Sequence, residues 1–271
     1  MAPHGNRHAT MVARTGFGTV TLRPDPARAQ GWELLVDGVP QSYVDLGDPT
    51  FLEFEYLRRL GSVLRLAAPV AVPLTVLHLG GGGLTLPRLV STTRPGSSQR
   101  VVERDGELVT LVTRLLPLPA PVDIVVGDAR GELEREDPQR YDVIVVDVFD
   151  GARIPASVAG VGFATAAARA LRPGGLLAMN LTDVPPLAYS RVQVATLARA
   201  FGDVCLIAAG TMFRGRRAGN VILVAGHAAG DVPARALALD ATRDPDPGRV
   251  VHGAALSEFL AGAKARLDEP A

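Results

Sequence analysis

Cysteine is nearly absent from this chain of 271 residues, and so is any excess of charge. The one thiol, Cys205, sits in the apolar run 204–209, where it reads as a small core residue rather than a reactive group. A single cysteine excludes an internal disulfide, which fits a reducing compartment and gives the expectation of a cytoplasmic protein. The 28 basic and 28 acidic residues cancel. A general nucleic-acid binder carries a basic excess, so no nucleic-acid partner is expected. Long apolar runs are missing too. The most apolar stretch, 63–79, is broken by Arg65, Pro69 and Pro73, so no membrane association is expected. The first residues lack the apolar run of a signal peptide, and 1–14 read as an exposed, disordered leader. No internal repeat is visible, and no linker after about residue 70.

What is present is core. Hydrophobic residues make up 47% of the chain and charged residues 21%, enough to bury one large α/β domain with an appendage. The chain is organised around 75–105, TVLHLGGGGLTLPRLVSTTRPGSSQRVVERD. This reads as a buried strand, four glycines (Gly80, Gly81, Gly82, Gly83), a helix opening near Leu84, and a second strand ending in Glu103. Glycines let the turn take positive φ and let a ligand approach bare backbone. The N–H groups that open the helix suit an anion. A carboxylate about 20 residues further on suits ribose hydroxyls, which need acceptors. A glycine turn alone says little, since any tight strand-to-helix connection favours glycine; its placement between strand, helix and Glu103 points to a nucleoside site.

Around this stretch the spacing predicts short strands at 19–24, 32–38 and 39–46, with Asp37-Gly38 as a hairpin turn. A helix is expected over 48–67, capped by Asp48 with Pro49 at its first position. Strands then alternate with helices: 121–129 ending in Asp128, 141–150 with a Val/Ile run fit for a central parallel strand, then LLAMNLTD, VCLIAAG and NVILVAG. The expected architecture is α/β, a seven-stranded, mostly parallel sheet with helices on both faces. The expected divisions are a leader (1–14), an N-terminal β-hairpin unit (15–47), a Rossmann-like domain (48–228), and a tail with one helix at 254–267 (229–271).

In such a sheet the ligand lies beyond the carboxyl ends of the strands. Those ends carry Glu103, Asp128, Asp147 with Asp150, and Asn180 with Asp183. Any one acid there can be a helix N-cap, a role equally open to Asp105 and Asp183. Asp147 and Asp150, three apart past a strand, suit a cationic amine: one orients it while the other takes its proton. The bland alternative has Asp150 capping a turn before Gly151. Tyr56 and Phe149 offer aromatic faces for a cation, or core packing.

With these residues assembled, 32–227 resembles the spermidine synthase family, aminopropyltransferases on the class I methyltransferase fold. LLVDGVPQSYVDL looks like the segment presenting a glutamine to the donor, here Gln41, and EFEY like the helix with the substrate-side tyrosine, here Tyr56. HLGGGGLTLPR resembles the family's glycine loop, VVERD its ribose-binding strand end (Glu103), and VVGDAR its adenine contact (Asp128, with Ala129). YDVIVVDVFD resembles its Asp-x-x-Asp strand, implying Asp147 as base and Asp150 as amine ligand. The chain departs from the family pattern in three places. Gly82 stands where the loop usually has an aspartate that holds the donor's amino group; Leu57 and Arg58 replace a histidine and a glutamate; and TMFRGRRAGN brings Arg214, Arg216 and Arg217 to a usually aromatic approach.

The resemblance implies transfer of an aminopropyl group from decarboxylated S-adenosylmethionine to an amine such as putrescine, without a metal, by a homodimer. Gly82 keeps open a methyltransferase using ordinary S-adenosylmethionine, whose methionine carboxylate would meet loop N–H groups. A non-catalytic nucleoside-binding or dimerisation module is the third reading.

Overall fold

Apolar and polar residues alternate through most of the segment from Met11 to Asp45 and fold it into four antiparallel strands, β1 (Met11–Thr15), β2 (Gly18–Pro24), β3 (Gly31–Val36) and β4 (Val39–Asp45). They belong to a computed structural model that describes residues 9–151 and 154–268. Residues 1–8 of the expected leader lie outside the described residues, and from Met11 the chain is already strand. Asp37 and Gly38 take φ of 49° and 78°, the pair of positive values that a two-residue hairpin needs. One face of this sheet packs Val20, Leu22, Trp32, Leu34 and Val44 against Leu84, Val101, Leu108 and Val112 of the main domain.

The first helix starts later than its sequence signals suggest. α1 spans Glu55–Leu66, with Phe54 rather than Asp48 at its N-cap. The Asp48 carboxylate instead receives the backbone N–H and hydroxyl of Thr50, closing a local turn. Phe51 is drawn out of any helix: Arg28 lies 3.8 Å over its ring and Tyr43 meets its edge. Tertiary contacts with the small sheet thus outweigh an Asp-Pro start.

The main domain then alternates β5 (Thr75–Leu79), α2 (Thr85–Thr93), β6 (Ser98–Glu103), α3 (Gly106–Leu115), β7 (Asp123–Val126), α4 (Ala129–Arg135), β8 (Tyr141–Val146), α5 (Val161–Ala170), β9 (Leu171–Asp183), α6 (Ala188–Leu197), β10 (Asp203–Ala209), α7 (Gly210–Phe213), β11 (Gly219–Gly226), α8 (Ala234–Arg243), β12 (Gly248–His252) and α9 (Ala254–Leu260). The strand order is β7-β6-β5-β8-β9-β11-β10-β12. β11 and β12 run against the other six. The chain moves outward from β5 to β7 and returns on the other side at β8, so the topological switch lies between β5 and β8, where a crevice opens.

Seven of these strands are the expected ones and β12 is an eighth. It comes from the segment read as a tail with a single helix, which also supplies α8. RVVH is too short to announce a strand by alternation, but it covers the otherwise open edge of β10. The core forms two layers because successive strand residues face opposite ways. Val76, Val143, Val145 and Ile207 pack toward α1 and α8, whereas Leu77, Leu79, Ile144 and Val146 pack toward α5 and α6. Among the described residues no helix is long and apolar enough to cross a membrane.

Candidate functional site

The site is built on the glycine loop between β5 and α2. Gly80 has φ of 95°, and a β-carbon there would stand 2.2 Å from the Asp147 backbone oxygen. Only glycine lets β5 and β8 end this close together. A β-carbon on Gly83 would lie 2.9 Å from the Ser42 hydroxyl, because β4 is pressed onto the loop. Ser42 and Thr85 hydroxyls meet at 2.9 Å, and Thr85 also donates to the Tyr43 carbonyl. The small sheet is therefore pinned to the start of α2. Buried Arg88 anchors the loop from below, with Nε 3.4 Å from the Gly83 carbonyl and its other nitrogens on the carbonyls of Leu116 and Pro117. Burial pushes its guanidinium down to about 10.

Glu103 ends β6 with its carboxylate turned into this loop. Oε2 accepts from Gly81 N (2.8 Å) and Gly82 N (3.3 Å), while Oε1 accepts from Asp105 N. Oε2 is thereby filled by two backbone donors, and Oε1 keeps one lone pair free. Asp105 is the N-cap of α3, accepting from Glu107 N and Leu108 N. Asp128 is exposed and caps α4 through Gly131 N at 2.8 Å, leaving its second oxygen open; Ala129 is the buried first residue of that helix.

Asp147 follows β8 into the crevice. Loss of hydration pushes its carboxyl up to about 6; the Asn180 amide at 2.8 Å pulls it down, and the charge of Glu103 pushes it up again. Tyr56 is near enough for the Asp147 charge to act on it, and burial chiefly, then that charge, drives its hydroxyl well above the ordinary range. The Tyr56 hydroxyl donates to the backbone carbonyl of Gln41, whose own side chain is exposed on β4. Asp147, Glu103, Tyr56 and the glycine loop thus converge.

Asp150 stands apart. Its side chain is 75% exposed and lies 3.6 Å from Arg104, which also donates to the Phe149 carbonyl and stacks on Phe17. In this conformation Asp147 faces the crevice and Asp150 faces Arg104. Phe149 is partly buried against the core.

The three late arginines are exposed, and Arg217 is answered by Glu55 at 2.8 Å. Arg58 is turned away from the crevice and binds Asp244 and Asp246 of the C-terminal segment. Asp183 holds the start of α6, accepting from the N–H and hydroxyl of Ser190. Among the described residues no group of three or more His, Cys, Asp or Glu is arranged to hold a metal ion.

No sequence pattern marks Ser42, Arg88 or Arg104, because each acts through a partner far away in the chain. Asn180 reads from the sequence only as a strand end. A lone amide in the apolar run LLAMNLTD is the available signal.

No family model matches the chain. It is 32% identical to a probable spermidine synthase from Corynebacterium glutamicum, whose crystal structure superposes with a TM-score of 0.90 over 97% of this chain and 98% of that one. A polyamine aminopropyltransferase of Neisseria meningitidis is 27% identical over 66% of this chain and 67% of its own length. A probable polyamine aminopropyl transferase of Bifidobacterium longum is 30% identical over 41% of this chain, a match spanning about a quarter (24%) of that longer protein.

Proposed function

The chain belongs to the spermidine synthase family, and on that premise we propose that it transfers an aminopropyl group from decarboxylated S-adenosylmethionine to a small amine such as putrescine. The observation that carries this reading is Asp147, a carboxylate at the switch point beside Glu103 and Tyr56, raised to about 6. Alkyl amines are mostly protonated at neutral pH, so a displacement at carbon needs a group that removes a proton. A base titrating just below neutrality is ionised at pH 7 yet still holds a proton usefully.

The amine nitrogen attacks the carbon attached to the sulfonium. A C–N bond forms, the C–S pair returns to sulfur, and methylthioadenosine leaves as a neutral thioether. Before the attack Asp147 takes a proton from the ammonium, which frees the lone pair that forms the C–N bond, and the product leaves as a secondary ammonium. Glu103 would accept a ribose hydroxyl with the Oε1 lone pair its backbone contacts leave, and the open oxygen of Asp128, next to Ala129, would face the adenine. Gln41 and Gly80–83 would line the donor. Asp150, released from Arg104, would attract the amine, and the Tyr56 ring would flank the cation. In this reading the β-unit of 15–47 covers the donor, 48–228 carries the chemistry, and the protein is a cytoplasmic homodimer.

Gly82 favours the second reading, methyl transfer from ordinary S-adenosylmethionine. Against it, the N–H groups of Gly81 and Gly82, which would have met the methionine carboxylate, already donate to Glu103. A carboxylate arriving there would face another carboxylate. The test offers both donors to the purified protein with a panel of diamines. Methylthioadenosine as product is expected; adenosylhomocysteine would replace this reading with methyl transfer, and nucleoside binding without turnover would replace it with a binding module.

A further inference from the structure

The side chain of Asn180 is the least explained polar group near the crevice. It lies on β9, directly opposite Ile222 of β11, and is 1% exposed. Its amide nitrogen donates to Asp147 Oδ1 at 2.8 Å, while its carbonyl oxygen is buried without a partner among the described residues. An amide sunk in an apolar strand with half its capacity unmet is costly. Leucine at this position would avoid that cost. The hydrogen bond to Asp147 is the compensating interaction, and it involves the carboxylate of the Asp147/Asp150 pair that turns into the crevice.

We propose that Asn180 is the positioning residue of Asp147: it fixes the carboxylate's orientation and keeps it ionised, leaving Oδ2 for the incoming amine. This rests on the reading of Asp147 as the base. The groups around Asp147 leave this task to Asn180. Glu103, from β6, brings a like charge that favours the protonated acid. Tyr56, from α1, gives its proton to the Gln41 carbonyl. Asp150, on the same loop, is paired outward with Arg104. Asn180, from β9, is the group among them that donates to Asp147, so only its removal strips the carboxylate of that donor.

Two variants separate this role from packing. Asn180→Leu keeps the branched outline at a larger volume and removes the donor; Asn180→Ala removes the donor without adding bulk or charge. A hydrogen bond to a charged group corresponds to about one to two pH units of a carboxyl titration. In both variants the acid limb of kcat/KM should therefore move up by about one unit or more. The activity loss should be at least about five-fold at pH 6 and shrink toward pH 8.5. A loss of equal factor at every pH would mean that Asn180 only packs. Carbon-13 NMR of the Asp147 carboxyl in the full protein reads the same titration without turnover. An upward move there in both variants supports the positioning role even if aminopropyl transfer fails its own test. An unmoved titration in a variant with native melting behaviour overturns it. Should Asn180→Leu not fold, Asn180→Val, smaller and also without a donor, serves in its place.

Discussion

Replacing Asp147 by asparagine should separate activity from stability in opposite directions. The carboxyl titrates near 6 in the fold against 3.8 ordinarily, because burial strips its hydration. The folded protein therefore holds this proton more tightly than the unfolded chain does. Below about pH 4 the group is protonated in both states and makes no difference. From there to about pH 6 stability falls as pH rises, and above that the full cost remains. The difference corresponds to about 3 kcal/mol, an upper figure because the side chain keeps some exposure to the crevice. Asparagine is neutral, close in shape, and its oxygen can still accept from Asn180. Asp147→Asn should thus melt at or above the wild-type temperature at pH 8, and the difference should vanish near pH 4. Calorimetric melting at both pH values checks this. Turnover measured by methylthioadenosine release should fall by at least about 100-fold, since the variant cannot take the amine's proton. A variant that melts well below wild type at pH 8, or retains activity within a few-fold, would refute the argument that this carboxylate is kept at a cost for proton transfer.

Glu103→Gln should weaken binding of methylthioadenosine by about 1.5–3 kcal/mol in titration calorimetry, through loss of charge-assisted acceptance. The same change removes a like charge, so the acid limb assigned to Asp147 should move to lower pH; a move upward would contradict repulsion between the two carboxylates. Gly80→Ala should destabilise the fold by about 1–3 kcal/mol in denaturant titration and depress turnover, because its β-carbon would collide with the Asp147 backbone oxygen and a side chain at position 80 would be held at a disfavoured positive φ. Asp150→Asn should chiefly raise the amine KM with kcat changed only a few-fold, as it removes attraction and not proton transfer; an equal fall in kcat would place Asp150 in the chemistry.

The central stretch is legible because local constraints coincide there. A glycine run between an apolar strand and a helix, with an acid about 20 residues on, has few other uses, and Glu103 indeed meets that loop. Asp105 as a cap and Asp37-Gly38 as a hairpin turn rest on neighbouring backbone, and so can be read locally. The start of α1 cannot be, since Asp48 and Pro49 signal a helix that Arg28, Tyr43 and Phe51 prevent from across the small sheet. β12 exists because β10 has an open edge, a fact about the sheet and not about RVVH.

The sequence by itself determined the alternation of strands and helices, the glycine loop, and which strand ends carry acids. These depend on periodicity and on the backbone freedom of single residues, which neighbours in the chain express. The tertiary structure alone decided which of two acids three residues apart turns inward, that Arg104 holds the other, and that Asn180 reaches Asp147 from the next strand. Hydration and charge at a site depend on groups brought together from 33 or 45 positions away, and no local pattern encodes that sum.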